Sequence, residues 1–227
     1  MAIFRKIAIA LAVFIVVTGG ALWFLSRGDT ADLSVDEVAG TDPVLQKGDA
    51  QTFPTVQVAE PIGWAANEAP TAAEGLEVVR FAEGLDHPRT LYTLPNGDVL
   101  VSLTRAPDMD KPGGGVFDAI KGWIEGLLMS QAGATGKSPN QIVLLRDADG
   151  NGSAETRKVI AQEGLDSPSG LAWFDGTLYV GNHNAVVAFP YALGADAVSG
   201  PGRKIMDLAP GGGHWMRNLK LSPDGRL

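Results

Sequence analysis

Gly84-Leu-Asp-His-Pro-Arg-Thr-Leu-Tyr-Thr-Leu-Pro-Asn-Gly-Asp-Val-Leu-Val101 returns later in the chain as Gly164-Leu-Asp-Ser-Pro-Ser-Gly-Leu-Ala-Trp-Phe-Asp-Gly-Thr-Leu-Tyr-Val180. A third copy, Asn218-Leu-Lys-Leu-Ser-Pro-Asp-Gly-Arg-Leu227, keeps the second half of the pattern. Each copy reads as an apolar strand, a turn on Asn-Gly or Asp-Gly, and a second apolar strand. Those dipeptides supply the positive φ angles of a two-residue hairpin. A lone hairpin cannot bury its apolar face, whereas sheets repeated around an axis can.

The spacing agrees with this reading. Leu91 and Leu171 lie roughly 80 residues apart, and Leu171 and Leu219 roughly 48. Residues 106–141, within the first interval, do not read as strand; without them it shrinks to roughly 44, close to the ~40–50 residues of a propeller blade. Gln141–Arg146, Thr156–Ala161 and Ala185–Phe189 fall where the outer strands belong. In the insertion, Phe117, Ile120, Ile124, Leu127 and Leu128 form one helical stripe with Trp123 beside it. Gly113–Gly115 precede this stripe and Gly133 can stop it, so it reads as a helix packed on the propeller rim, with a lid or a membrane-facing helix as alternatives.

Composition narrows the classes. The 227 residues are 45% apolar, and 29 glycines with 14 prolines favour short strands and tight turns. The net charge of -8 comes without a basic stripe, which argues against a nucleic-acid partner. With no cysteine, disulfides, thiolate catalysis and cysteine-ligated zinc are excluded. Imidazole chemistry must use His87, His183 or His214.

Arg5 and Lys6 precede an apolar run, Ile7–Leu25, broken by Thr18, Gly19 and Gly20. At ~1.5 Å per residue it covers roughly 28 Å, one hydrocarbon core. Trp23 suits the interfacial belt, and the leading positive charges favour a cytoplasmic N-terminus. No small-x-small pattern follows Leu25, which favours an uncleaved anchor over a cleaved signal peptide. In either case the body is expected to be periplasmic or otherwise extracytoplasmic. The expected organisation is a signal-anchor or signal peptide over 1–27, a Pro-rich acidic linker over 28–75, and a partial β-propeller of about two and a half blades over 76–227. The strand after Asp224-Gly225 is expected to run past Leu227, which reads as a chain cut in mid-blade.

The segments Gly84-Leu-Asp-His-Pro-Arg89, Leu94-Pro-Asn-Gly-Asp-Val-Leu-Val101, Leu144-Leu-Arg-Asp-Ala-Asp-Gly-Asn-Gly152, Gly164-Leu-Asp-Ser-Pro168 and His214-Trp-Met-Arg-Asn-Leu219 with Ser222-Pro-Asp-Gly225 resemble, in that order, the quinoprotein glucose/sorbosone dehydrogenases, above all the bacterial sorbosone dehydrogenase-like branch. The resemblance implies an all-β fold: the N-terminal portion of a six-bladed β-propeller with one helical insertion, preceded by a transmembrane or signal helix. It also implies pyrroloquinoline quinone (PQQ) and Ca²⁺ in a polar depression, and oxidation of an aldose or sorbosone-type sugar with electrons passed to an external acceptor. The cofactor supplies that chemistry; the protein orients it.

In the soluble glucose dehydrogenases the base is a histidine followed nine positions later by the proline of a Pro-Asp turn, and His214 and Pro223 keep that spacing. A neutral imidazole suits proton abstraction near pH 7. Gly211–Gly213 would let a flat cofactor approach the backbone. Arg217 is a candidate for pairing with quinone carboxylates, or a rim charge, and Asn218 is expected to start the inner strand and face the central channel. Where the soluble enzymes carry a glutamine near the cofactor, this chain has Leu165 or Asp166. The remaining quinone and calcium ligands are expected beyond Leu227. His87 and His183 read as loop or rim residues. Asp147-Ala-Asp-Gly-Asn-Gly152 starts like a calcium loop, but Lys158 occupies the twelfth position, so it reads first as a hairpin turn. The rival function is a non-catalytic propeller that binds a small ligand or a partner protein.

Overall fold

The computed structural model describes residues 2–25, 32–45, 47, 58–59, 61–65, 68–107, 114–209, 214–222 and 225. The chain divides into two compact units, Met1–Ala59 and Glu60–Leu227.

The first unit holds helix α1 (Ala2–Leu25) and a single turn, α2 (Val35–Val38). Within α1 the stretch Ile3–Phe24 has a mean hydropathy of 2.5 and none of it is buried. By length and composition it can cross a membrane, and a signal sequence has the same properties.

Among its described residues the second unit is mostly sheet, with one helix. Strands β1 (Pro88–Thr93), β2 (Val99–Leu103), β3 (Gln141–Arg146) and β4 (Thr156–Ala161) form one antiparallel sheet in sequential order. Strands β5 (Gly170–Phe174), β6 (Thr177–Gly181), β7 (Ala185–Pro190) and β8 (Arg203–Asp207) form a second sheet of the same order. The strands read from the first two copies and at Gln141–Arg146, Thr156–Ala161 and Ala185–Phe189 are therefore present. β8 is an addition: all five of its residues are exposed, so it offered no burial pattern to read.

The sheets share one core. Leu100, Ile142, Leu144 and Ile160 of the first meet Leu171, Leu178, Val180, Val187 and Phe189 of the second. The other face of the first sheet buries Val101, Leu103, Val143 and Leu145 under Phe81, Ala82 and Leu85. Both faces of β2 and β3 are thus covered, which accounts for their unbroken apolar runs. Polar links add to this packing: the Trp173 amide donates to the Tyr92 hydroxyl at 3.0 Å, and the Trp173 indole donates to the Tyr191 carbonyl at 2.9 Å.

Two turn expectations separate here. Asp175 and Gly176 have φ of 43° and 75°, so they make the two-residue hairpin expected of Asp-Gly. Asn96-Gly97 does not. The Gly97 amide bonds the Leu94 carbonyl at 2.9 Å, the Leu94 amide bonds the Asp98 carbonyl at 2.8 Å, and Gly97 has a φ of 90°. Pro95 is the cause: its ring fixes a negative φ, suited to the first central position of a type I turn, and Gly97 then closes a longer loop as a bulge.

The insertion does contain a helix, α3 (Val116–Gln131). Gly133 ends it with a φ of 68°, while the Gly133 amide bonds the Ser130 carbonyl and the Ala134 amide bonds the Met129 carbonyl, a Schellman closure. The expected packing on the rim is not found. Ile120, Trp123, Ile124 and Leu127 are exposed and Leu128 is half-buried, because no described strand or helix lies against this helix. The third copy of the repeat also departs from expectation. Among its described residues, 218–222 and 225, there is no strand, so Asn218 does not start one. No described strand offers that segment a ladder; its backbone crosses the second sheet instead.

Candidate functional site

Antiparallel order puts the starts of β1 and β3 beside the ends of β2 and β4. In the second sheet it does the same for β5 and β7 with β6 and β8. The two sheets meet at these ends, since the Ser167 amide, just before β5, donates to Asn140 Oδ1, just before β3, at 2.9 Å. His87 precedes β1 and His183 follows β6, so both lie at this end. The segment 214–217 is pinned there as well.

Arg89 makes the first attachment. Its guanidinium stands 5.3 Å from the buried Trp215 ring, and its Nη1 donates to Met216 Sδ at 3.4 Å. Its Nη2 lies 3.3 Å from His87 Nε2. A guanidinium can only donate, so His87 Nε2 accepts and the imidazole is neutral. Burial, with Arg105 and Arg89 close by, also holds the His87 pKa below the ordinary histidine value.

Arg217 makes the second attachment. The Arg217 amide donates to Ser169 Oγ at 2.8 Å, its Nε to the His183 carbonyl at 3.2 Å, and its Nη2 to the Ala209 carbonyl at 2.6 Å. Gly170 and Gly181 face each other across β5 and β6, and a Cβ on either would meet the Arg217 carbonyl, at 2.2 and 3.0 Å. Glycine is required at 170 for this crossing, and at 181 a side chain would make a tight contact with it.

Of the residues singled out from sequence, His214 is exposed and makes no hydrogen bond among the described residues. Arg217 is half-buried and holds backbone carbonyls with two of its nitrogens. Asn218 is exposed and lines a cleft of about 400 Å³ between β1, β5 and residues 218–221. Gly211–Gly213 and Pro223 lie outside the described residues. A larger cavity, about 970 Å³, runs along β4 and residues 198–202; it is lined by Glu163 and Gln162 among apolar and glycine positions, and none of the site residues nominated from sequence reaches it.

Sequence reasoning did not single out the partnership of His183 with Asp166. His183 Nδ1 lies 3.4 Å from both the carboxylate and the carbonyl of Asp166, two acceptors toward which Nδ1 can only donate. Leu-Asp before Ser-Pro and Asn-His after a strand carry no shared motif; the contact exists because the loops before β5 and after β6 are adjacent.

The acidic loop sits at the other end of the first sheet, between β3 and β4. Asp147 accepts the amides of Gly150, Asn151 and Gly152, and these bonds hold its carboxyl below the ordinary range. This is the hairpin turn expected there. Carboxylate oxygens of Asp147, Asp149 and Glu155 come within 4.8 Å of one another. They lie at the opposite end of the sheet from the histidines.

What fold and site define is a mainly antiparallel sheet protein with an apolar N-terminal helix and a polar, histidine-bearing end. No protein-family model matches the chain, and no curated protein matches it. Two solved structures do. One is the iodide structure of Trichoderma reesei Carbohydrate-Active Enzymes Family AA12, 22% identical with a TM-score of 0.45, over 69% of this chain and 32% of that one. The other is the calcium structure of the same family from the same organism, 22% identical with a TM-score of 0.43, over 69% of this chain and 31% of that one. The chain therefore spans about a third of the length of the structures it matches.

Proposed function

We propose that this chain is the N-terminal part of a β-propeller of the quinoprotein glucose/sorbosone dehydrogenase type, held at or exported across a membrane, with the two sheets as successive blades. The proposed activity is PQQ-dependent oxidation of an aldose or sorbosone-type sugar. The observation that carries this reading is the gathering of His87, His183 and the 214–218 segment at one end of both sheets, beside Arg89 and Arg217. His214 is the proposed base: its exposure leaves the ring open to a substrate hydroxyl.

The residues present fit the quinone in part. Arg89 is exposed and its hydrogen-bond partners, a thioether and a neutral imidazole, carry no charge, so a carboxylate would compete well for its guanidinium. Arg217 has two nitrogens engaged by carbonyls and acts first to seat the 214–218 segment. Its assignment as a quinone ligand is thereby weakened, while Asn218 lines the cleft and makes no side-chain hydrogen bond to the described residues. When bound, PQQ would accept the hydride, and the chain's own task is to take the hydroxyl proton and present the sugar. Among the described residues, the one group of three carboxylates that could hold a metal ion lies at the other end of the first sheet.

The test is a titration of the chain, and of the chain extended past Leu227, with PQQ and Ca²⁺, following quinone absorbance and dye reduction over a panel of aldoses. The reading stands if the extended chain reduces dye and His214→Ala abolishes it. It fails if the extended chain neither binds the quinone nor reduces dye; a binding-only propeller then becomes the better account.

A further inference from the structure

Helix α3 carries its apolar side outward. At ~100° per residue, Val116, Ile120, Trp123, Ile124 and Leu127 fall within about 100° of the helical wheel. They are 75%, 49%, 69%, 46% and 59% exposed. Asp118 and Glu125 lie on the opposite side, with Met129 the one apolar residue among them. A contiguous stripe of this kind marks a surface that something covers. The stripe is also firmly aimed. Arg105, which follows β2, donates to the Gly133 and Thr135 carbonyls at 3.4 and 3.0 Å and pairs with Asp86 at 2.9 Å. The C-terminal end of α3 is thus tied to the loop before β1.

The same chain carries α1, apolar enough to cross a bilayer. Roughly sixty residues separate Leu25 from Pro88. Their contour cannot exceed about 3.6 Å per residue, so an anchored body stays within about 220 Å of lipid. At that confinement a partition too weak to hold a free protein suffices. Trp123 lies inside the stripe, and an indole suits the headgroup boundary. The acidic side would face water, away from anionic headgroups.

We propose that the exposed stripe of α3, Val116, Ile120, Trp123, Ile124 and Leu127, lies in the interfacial layer of the bilayer that α1 spans. This rests on α1 being a retained anchor. Because α3 joins β2 to β3 at the histidine end, that end is held close to the lipid surface.

The chain has no cysteine, so single-cysteine variants carry a spin label without further engineering. Full-length Ile124→Cys, Leu127→Cys, Glu125→Cys and Val13→Cys are labelled and placed in phosphatidylcholine/phosphatidylglycerol liposomes. Accessibility to oxygen and to a water-soluble nickel chelate is compared with that in amphipol. Expected is oxygen preference at 124 and 127 in liposomes, reversed at 125, and loss of that preference at 124 and 127 when Trp123→Glu is added. Nickel access at 124 and 127 while the label at 13 stays lipid-exposed overturns the proposal and leaves the anchor intact. Shielding of 124 and 127 from both reagents, in amphipol as well, overturns it in favour of a protein cover, and label–label broadening would identify a second copy. Nickel access at 13 removes the anchor reading, and the proposal with it.

Discussion

β1–β4 and β5–β8 share one strand order and one antiparallel pattern, yet they are finished by different means. In the first sheet the second face is sealed by apolar side chains, Phe81, Ala82 and Leu85, packed on Val101, Leu103, Val143 and Leu145. In the second sheet a stretch of main chain, residues 217–219, crosses over the Gly170–Gly181 pair. The connections differ too: residues 182–184 suffice between β6 and β7, whereas residues 104–140 separate β2 from β3. A repeated four-stranded sheet therefore fixes strands and leaves connections free. In this chain the connections and the crossing segment carry the histidines, Arg217 and the exposed helix.

The strut between the sheets gives the largest expected effect. Asp98, buried at the first hairpin, accepts Arg146 Nε at 2.8 Å and Nη2 at 2.9 Å, and also Asn96 at 2.8 Å. Arg146 continues to Asp196 and the Gly194 carbonyl in the second sheet's loop, where Lys158 also reaches Asp196. Asp98→Ala should cost about 3 kcal/mol in chemical denaturation, below the upper range because Arg146 is a quarter exposed and keeps Asp196. Wild-type stability would show the comparison to be one of form only. Next comes Gly170→Ala, whose Cβ would stand 2.2 Å from the Arg217 carbonyl. A loss of about 1–3 kcal/mol is expected, with the near-ultraviolet signal of Trp215 altered. An unchanged Trp215 signal would mean that the crossing segment does not depend on the glycine pair.

Acid should weaken the strut in a defined window. Hydrogen bonds from Arg146 hold the Asp98 carboxyl below its ordinary value. Its stabilisation is therefore complete above the unfolded pKa, about 4, and disappears as pH falls below that through the folded value. Asp147 and Asp196 are held low as well, so the measurement is the difference between wild type and Asp98→Asn, whose stability should fall less between pH 5 and 3. Parallel curves would remove Asp98 from the acid limb. The smallest effect belongs to His87. Its lowered pKa means that the unfolded chain takes up the proton first, so stability should decline slightly as pH falls below about 6.5. Titration of its ring protons by NMR should give a midpoint below 6.5, and a midpoint above it would contradict the neutral ring bound to Arg89.

Much of the fold was legible before any coordinates. The apolar runs at Val99–Leu103 and Gln141–Arg146 and the Asp175-Gly176 hairpin are local signals, and they appear where they were read. The Asn96-Gly97 turn was misread because the dipeptide was weighed without Pro95, one residue earlier. β8 went unseen because an exposed edge strand has no apolar alternation to betray it. At the site, His214, Arg217 and Asn218 could be nominated, but Arg217's two carbonyl bonds and the His183–Asp166 contact are made between loops distant in sequence.

The sequence by itself determined the apolar N-terminal helix, the repeat, the strands it spells and the helix in the insertion. Each depends on interactions within a few residues, where propensity and periodicity act. Tertiary structure decided which strand ends adjoin, which glycine pair admits a crossing chain, which cation is already engaged, and which side of α3 faces out. Those outcomes depend on distances between segments dozens of residues apart, and no local pattern encodes such a distance.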